Sequence, residues 1–450
     1  MNLSEKKVLF ITTYKARDFE GNALVGYYLY KNYAVESQFI HGYSVKQEIE
    51  KLKPAVLVMD HLVWDHKKEL AFWANSVGVK VVLLFTEGYY KDISSFDKIF
   101  GHPNADKLNV TKYLVWNNQM VKRVKDLDYS DEFSQKMIVT GSPRFDFLTN
   151  TSLSSFGFSK LDFIKKYDLQ DYKEIITYMS TTPYQGYSFE KFYSRYKKKA
   201  NFSDEIIRNF YDDNQKQFRN HTTIIKKLAV SNPEIVFFYK SHPSEAYISN
   251  YETVFEGVNN IKLISNENVR PFLQYSNLVI QRNCTTALES WLLGKPVVQL
   301  DDADYNSKTY KEHLDYSYLI NNLEELDAFI KSKEYQNWNV DNVTIFLEGI
   351  FGKLDGLAYK RVADEIVMIL EKWNETDQTN LENNLLKYRK EVDTRFMNRV
   401  KDFLRLDRKT SLRPKVYIKR LFRKKKNNSN EVNIEPNEVH EFYNKLNDFV

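Results

Sequence analysis

A single cysteine, Cys284, stands in the 450 residues. No internal disulfide can form, and no grouping of cysteine with histidine has structural-zinc spacing. A reducing, cytoplasmic setting is expected. Long apolar runs are missing too: windows such as 79–85 reach about a third of the ~20 residues that cross a bilayer, so no membrane span is expected. The opening MNLSEKKVLFITTY passes from charge straight into a strand-like run, without the apolar stretch and cleavage site of a secretory signal. No repeat of solenoid period occurs, and no P-loop, HExxH or GxSxG motif, which argues against common ATPase, zinc-protease and serine-hydrolase chemistry.

What the chain does have is length and aromatic mass. With 42% apolar residues and 31 Tyr, 30 Phe and 6 Trp, it can fill two cores and is too long for one ordinary domain. The net charge of +5 hides an asymmetry. Between Arg399 and Lys426 thirteen bases face only Asp402 and Asp407, which leaves 52 bases and 58 acids elsewhere. Positive charge is therefore concentrated near one end and bears on membranes or polyanions rather than on the fold.

Residues 7–140 alternate apolar runs (7–13, 55–60, 80–86, 113–116 and 136–140) with helical stretches (22–33, 66–76 and 118–127). Continuous apolar runs between helices read as buried parallel strands. The pattern resumes at 174–179, followed by a long helix over 203–230 and strands at 234–240, 261–264, 278–281 and 296–300. The expected fold is α/β, with two Rossmann-like doubly wound domains facing a cleft at the carboxyl ends of their strands, then C-terminal helices and a basic tail. The boundaries read as 1–155, 156–375 and 376–450. Residues 149–172 lack sustained periodicity and read as the linker; 357–373 and 380–406 read as helices, and 408–428 as the tail.

The strongest local signal is VIQRNCTTALESWLLGKPVVQL at 279–300, a strand, polar turn, helix, turn and strand. Cys284, Thr285 and Thr286 fall at the helix start, where free N–H groups and hydroxyls can bind phosphate; Thr285 can equally be a plain helix cap. Glu289, one turn on, can meet a ribose hydroxyl or complete a capping arrangement. In KSHPSE, Lys240, Ser241, His242 and Pro243 follow a strand, which aims His242 at a ligand phosphate or makes it an acid, although His-Pro also marks simple turns. Thr86-Glu87-Gly88 ends another strand. An apolar border there would raise the proton affinity of Glu87 towards that of a general base, and a solvated loop is the alternative.

Asp60 and His61, with Trp64, Asp65 and His66, form a polar cluster that can line an acceptor site or sit in solvent. In GSPRFD, Gly141 and Pro143 fix a turn, with Arg144 and Asp146 at a hinge or reaching the cleft. Asp302 and Asp304 have Asp-x-Asp spacing, which can hold a divalent cation, but with no companion ligands a solvated loop is expected and no metal site.

GSPRFD, KSHPSE and NCTTALESWLLGKPVV, in this order over roughly residues 5–310, resemble bacterial surface carbohydrate biosynthesis proteins, which look like GT-B glycosyltransferases of the cell envelope. Similar elements recur in teichoic acid polymerases and in sialyl- and Kdo transferases that use CMP-activated acidic sugars. The resemblance implies a nucleotide donor held mainly by the second domain, with His242 on its phosphate and Thr285 and Thr286 cradling it. It implies Glu87 as base in an acidic-Gly motif, with Thr86 where a first acid usually stands. No nucleophilic carboxylate occurs in STTPYQGY (180–187), which points to inversion. The implied reaction is metal- and cofactor-independent transfer of an acidic 2-keto sugar from CMP to a glycan or lipid-linked glycan, on the inner face of the cell membrane. Residues 399–426 would meet anionic lipid there, and no nucleic acid partner is expected. Two alternatives remain: a CDP-alditol phosphotransferase and a non-catalytic polyanion-binding protein.

Overall fold

The computed structural model describes the chain except residues 14, 43–44, 89–99, 101–109, 127–128, 155, 158, 184, 200–202, 243–244, 246–247, 266, 408–433, 448 and 450, and the side chains of 16, 198–199, 248–250 and 396–407. Two compact units emerge. The first comprises 1–144, 351–353 and 357–448, and the second 145–350, 354–356 and 449–450. The division falls between Arg144 and Phe145, inside GSPRFD.

In the first unit, β1 (Lys7–Ile11), β2 (Glu36–Ile40), β3 (Val56–Met59), β4 (Lys80–Leu84), β5 (Lys112–Val115) and β6 (Met137–Val139) form a sheet in the order β2-β1-β3-β4-β5-β6. Every pairing is parallel. β3 is buried at all four positions and β4 at four of five, as strands covered on both faces must be. Helices α1 (Lys15–Tyr33), α2 (Val45–Leu52) and α3 (Asp65–Val77) follow β1, β2 and β3, and α4 (Asn118–Lys125) and α5 (Asp131–Gln135) link β5 to β6. The order reverses between β1 and β3, the switch point of a doubly wound sheet.

In the second unit, β7 (Glu174–Met179), β8 (Ile235–Lys240), β9 (Ile261–Ile264), β10 (Leu278–Gln281), β11 (Val297–Leu300) and β12 (Tyr318–Ile320) form a second parallel sheet in the order β12-β11-β10-β7-β8-β9. Its helices are α6 (Asp146–Thr149), α7 (Lys160–Lys166), α8 (Phe189–Lys199), α9 (Asp204–Ser231), α10 (Ile248–Val254), α11 (Arg270–Tyr275), α12 (Thr286–Leu292), α13 (Lys311–Tyr316), α14 (Leu323–Ser332) and α15 (Asp341–Phe351). One core cluster joins α9 to β7, β8 and β10 through Ile225, Leu228, Ile176, Phe237 and Ile280.

Two sequence expectations need correction. The stretch 149–172 is not a linker. It contains α7, whose Phe163 is fully buried with Leu169 against Val236, Phe238 and Phe272, and a seven-residue helix is too short to announce itself by periodicity. The helices after 356, expected with the second domain or as a separate extension, pack in the first unit. In α16 (Ala358–Lys372) the stripe Tyr359, Val362, Ala363 and Ile366 is buried, and Tyr359 meets Tyr28 of α1 edge-on at 5.5 Å. α17 (Glu375–Asp407) sets Tyr388 against Trp73 of α3 at 5.1 Å. α18 (Pro436–Leu446) brings Phe442 to Phe19 and Tyr443 to Tyr27, each at 5.5 Å. Gly26 makes room for that last contact: a Cβ there would lie 2.5 Å from the Tyr443 hydroxyl and 2.6 Å from the Phe39 ring. No described helix is long and apolar enough to cross a membrane.

Candidate functional site

The register of the second sheet fixes where KSHPSE and RNCTT meet. Met179, at the end of β7, pairs with Lys240 of β8 on one side and Gln281 of β10 on the other. Neighbouring strands lie about 4.8 Å apart, so Lys240 and Gln281 are about 10 Å apart across the switch point between β7 and β10. His242 and Cys284, two and three residues further on, leave the sheet on the same edge. Lys240 and Cys284 are close enough to influence each other's ionisation.

Four of the expected donor residues, Lys240, Ser241, Cys284 and Thr286, are engaged within the protein, so the Thr286 hydroxyl expected to cradle a phosphate is turned to the Cys284 sulfur instead. Lys240 is buried and donates to the carbonyls of Ser265 (2.5 Å) and Ser241 (3.2 Å), tying β8 to the loop after β9. Burial lowers its proton affinity to about 8. Ser241 donates from both its N–H and its hydroxyl to Ile264. Cys284 accepts the Thr286 hydroxyl at 2.9 Å, and burial pushes its thiol up, so it is a packed thiol and not a nucleophile. Pro243 lies outside the described residues.

His242 and Thr285 lie on the same edge, His242 half-buried and Thr285 exposed. Half-buried His242 is held to a proton affinity of about 4 by burial and by the nearby Lys240 ammonium. At neutral pH it is an uncharged imidazole, suited to donate a hydrogen bond rather than a proton. Thr285 is exposed at the start of α12 and makes no capping hydrogen bond, so the plain-cap alternative fails. Its neighbour Asn283 adopts a left-handed backbone (φ 52°) and is pinned by Gln299 and Tyr310, while Gln281 accepts the Cys284 N–H at 2.6 Å. Glu289 is buried inside α12.

The same edge carries side chains that sequence reading did not single out. Glu245 accepts hydroxyls from Ser180 (2.5 Å), Thr182 (2.9 Å) and Tyr251 (2.6 Å), which joins the loop after β7, the His242 loop and α10. Burial raises its proton affinity against these three donors. His221 of α9 is fully buried between the Tyr178 hydroxyl (2.6 Å) and Asp302 (2.7 Å), and Tyr305 also donates to Asp302. Asp302 is thus a partner within a buried network and not a solvated loop acid. Among the described residues, no group of three or more His, Cys, Asp or Glu is placed to hold a metal ion. Arg282 donates to the Ser307 carbonyl (2.8 Å) and lies 3.9 Å over the Tyr305 ring. Periodicity could not reveal these contacts, because most of the hydrogen-bond partners are 25 to 81 residues apart, and the two pairs close in sequence, Tyr251 with Glu245 and Tyr305 with Asp302, carry no local signature.

In the first unit, Glu87 sits at the carboxyl edge with its side chain 59% exposed, paired with Arg17 at 2.7 Å. Arg17 also holds Asp18 (2.6 Å) and Thr86 (3.1 Å). The apolar border expected around Glu87 is absent among the described contacts; its carboxylate meets a guanidinium and is otherwise exposed. The glycine of the pair has a packing cause, because a Cβ on Gly88 would lie 2.3 Å from the Trp116 indole. Asp60 is 3% exposed and forms a buried ion pair with Lys67, which also donates to Thr13 (3.0 Å). Although burial alone would raise it, His61 and Lys67 hold Asp60 below its ordinary value. Half-buried His61 is lowered to about 4 by burial, while Trp64, Asp65 and His66 are exposed. Arg144 is half-buried in the first unit, and Asp146, buried, opens α6 in the second.

No protein-family model matches the chain, and no curated protein matches it. Solved structures do. The UDP-GlcNAc 2-epimerase of Neisseria meningitidis bound to UDP-GlcNAc shares 15% identity, with 80% of this chain and 99% of that chain covered and a TM-score of 0.52. The S. aureus MnaA–UDP co-structure gives 14%, 82%, 98% and 0.51 for the same measures. A variant of the wall teichoic acid polymerase TagF gives 14%, 82%, 90% and 0.52. At these identities the likeness establishes the fold, two Rossmann-like parallel-sheet domains of the GT-B class.

Proposed function

We propose that the chain is a GT-B nucleotide-sugar transferase of bacterial surface carbohydrate synthesis. The carrying observation is that the strands leading to His242 and to Thr285 flank β7 and end on one edge of the second sheet, at its switch point, where open parallel sheets bind their ligands. Neutral His242 donates a hydrogen bond to a donor phosphate, and the Thr285 hydroxyl, unused in capping, adds a second. The N. meningitidis epimerase was solved with UDP-GlcNAc, S. aureus MnaA with UDP and TagF with CDPG, which supports a nucleotide-activated substrate here.

The finer reading is an acidic 2-keto sugar carried on CMP. Glu87 takes the proton of an acceptor hydroxyl on a glycan or lipid-linked glycan. The acceptor oxygen bonds to the anomeric carbon as the bond from that carbon to the CMP phosphate oxygen breaks, and CMP leaves with its charge met by His242 and Thr285. The scheme inverts the anomeric centre and needs neither metal nor cofactor. Arg17 holds the Glu87 carboxylate in place while the acceptor is absent. Glu87→Gln should lower turnover about 100-fold or more with donor binding unchanged; equal turnover would remove Glu87 from the reaction. The likeness to TagF favours one second reading, transfer of an alditol phosphate from a CDP donor. A product assay decides, since the first reading releases CMP with sugar transfer and the second releases CMP with phosphate transfer.

The basic segment 399–426 belongs to the same reading as an attachment to an anionic inner leaflet. Residues 408–433 lie outside the described part. Deleting 408–428 should abolish binding to phosphatidylglycerol vesicles at physiological salt; undiminished binding would discard the attachment.

A further inference from the structure

The opposite edge of the second sheet holds a cavity of about 310 Å³. Topology explains its make-up. β7, β10 and β11 lie side by side, and the residues just before them, Lys173, Asn277 and Lys295, come together at their amino ends. α7 closes one side with Lys160 and Ile164, and Tyr172 and Tyr275 add aromatic surface. Along β7 this edge is about 20 Å from the Met179 end, so the cavity is separate from the edge that carries His242 and Thr285.

The charge of the lining is one-sided. Three lysines line the cavity and no carboxylate does. Of the acids nearest in sequence, Glu174 is taken by Lys333 and Tyr335, Asp168 and Asp171 are exposed, and Asp162 accepts the Ser159 hydroxyl at 2.6 Å and adds to burial in raising the proton affinity of Tyr275 on the cavity wall. Among the described residues, no ion pair or side-chain hydrogen bond engages the ammonium of Lys160, Lys173 or Lys295. Burial, and then the neighbouring Lys160, lower the proton affinity of Lys295. Lys295 is half-buried and Lys160 and Lys173 reach solvent, so three ammonium groups border one concavity whose positive potential favours a bound anion. The volume is at the lower end of small-ligand sites.

We propose that this cavity is a second anion site that takes a diphosphate, its phosphates on Lys160, Lys173 and Lys295 and the remainder of the ligand against Ile164, Tyr172 and Tyr275. Three cations match a diphosphate better than a monoanion, and the apolar wall leaves room for an attached nucleoside or prenyl group. The inference stands apart from the transferase reading, because it uses no residue of the His242 edge.

The test is calorimetric titration of the full chain with sodium pyrophosphate at constant ionic strength. Saturable binding is expected, at least about tenfold weaker in K160Q/K173Q/K295Q and unchanged in H242A/T285A. Lys160 and Lys173 are exposed, so the two-lysine variant K160Q/K173Q keeps its fold and decides the matter if the triple variant does not. Competition by UDP assigns the diphosphate to a nucleotide, competition by geranyl diphosphate assigns it to a lipid carrier, and either outcome supports the site. Absence of saturable binding to the wild-type chain, or wild-type affinity in the folded lysine variants, overturns it.

Discussion

The Ser180 hydroxyl donates to Glu245 at 2.5 Å, and through that bond the loop after β7 is fastened to the loop that carries His242. Glu245 is the common acceptor for Ser180, Thr182 and Tyr251, so the loop after β7 and the start of α10 depend on one carboxylate of the His242 loop. Its placement makes it a positioning residue for His242.

Glu245→Ala should destabilise the second unit by about 2–4 kcal/mol, since three hydroxyls lose their acceptor inside the protein. Glu245→Gln keeps one acceptor oxygen and should cost less than half as much. Denaturant unfolding gives the two values. A positioning role further requires that Glu245→Gln weaken nucleotide binding more than it weakens the fold; equal losses would reduce Glu245 to structure alone.

Two half-buried histidines, His61 and His242, set a pH dependence. His61 and His242 both have native proton affinities near 4, against an ordinary 6.5, with burial the main cause. Between pH 6.5 and 4 the unfolded chain therefore binds protons that the folded chain refuses, and stability rises with pH across that window. The melting temperature should fall as pH drops from 6.5 to 4 and level off below. H61N/H242N should flatten the slope. A melting temperature as steeply dependent on pH in the double variant as in the wild type would contradict the assignment.

Asp60 and Lys67 form the buried ion pair of the first unit, with side chains 2% and 5% exposed. Removing one partner strands the other. Asp60→Asn should cost about 3–5 kcal/mol, while D60L/K67M should recover much of it, because well-packed apolar pairs replace buried ion pairs at little cost. In contrast, Arg17→Ala breaks the half-exposed contact with Glu87 and should cost under about 1 kcal/mol from that pair.

These contacts mark where sequence reading reaches and where it stops. Strands such as Ile235–Lys240 and Leu278–Gln281 are continuous apolar runs because helices cover both faces, so they were legible. β2, with the sequence ESQFI, is an edge strand whose one buried residue, Phe39, stacks on Phe10 at 5.2 Å, and its polar face hid it. α18 is amphipathic, but its anchors Phe442 and Tyr443 have meaning only against Phe19 and Tyr27 of α1, more than 400 residues earlier. At the site, His242 and Thr285 could be placed because each directly follows a readable strand. Glu245, Arg282 and the His221–Asp302 pair could not, since their roles come from pairings that only the folded sheet creates.

The most direct measurement is the melting temperature of the full chain with CMP, CDP, UDP and GDP, in the wild type and in H242A/T285A. At a hundredfold excess over the dissociation constant, CMP should raise it by about 5 °C or more, with smaller shifts for UDP and GDP and no CMP shift in the variant. A chain that no nucleotide stabilises, or a variant that responds to CMP as the wild type does, would contradict a donor site built on His242 and Thr285.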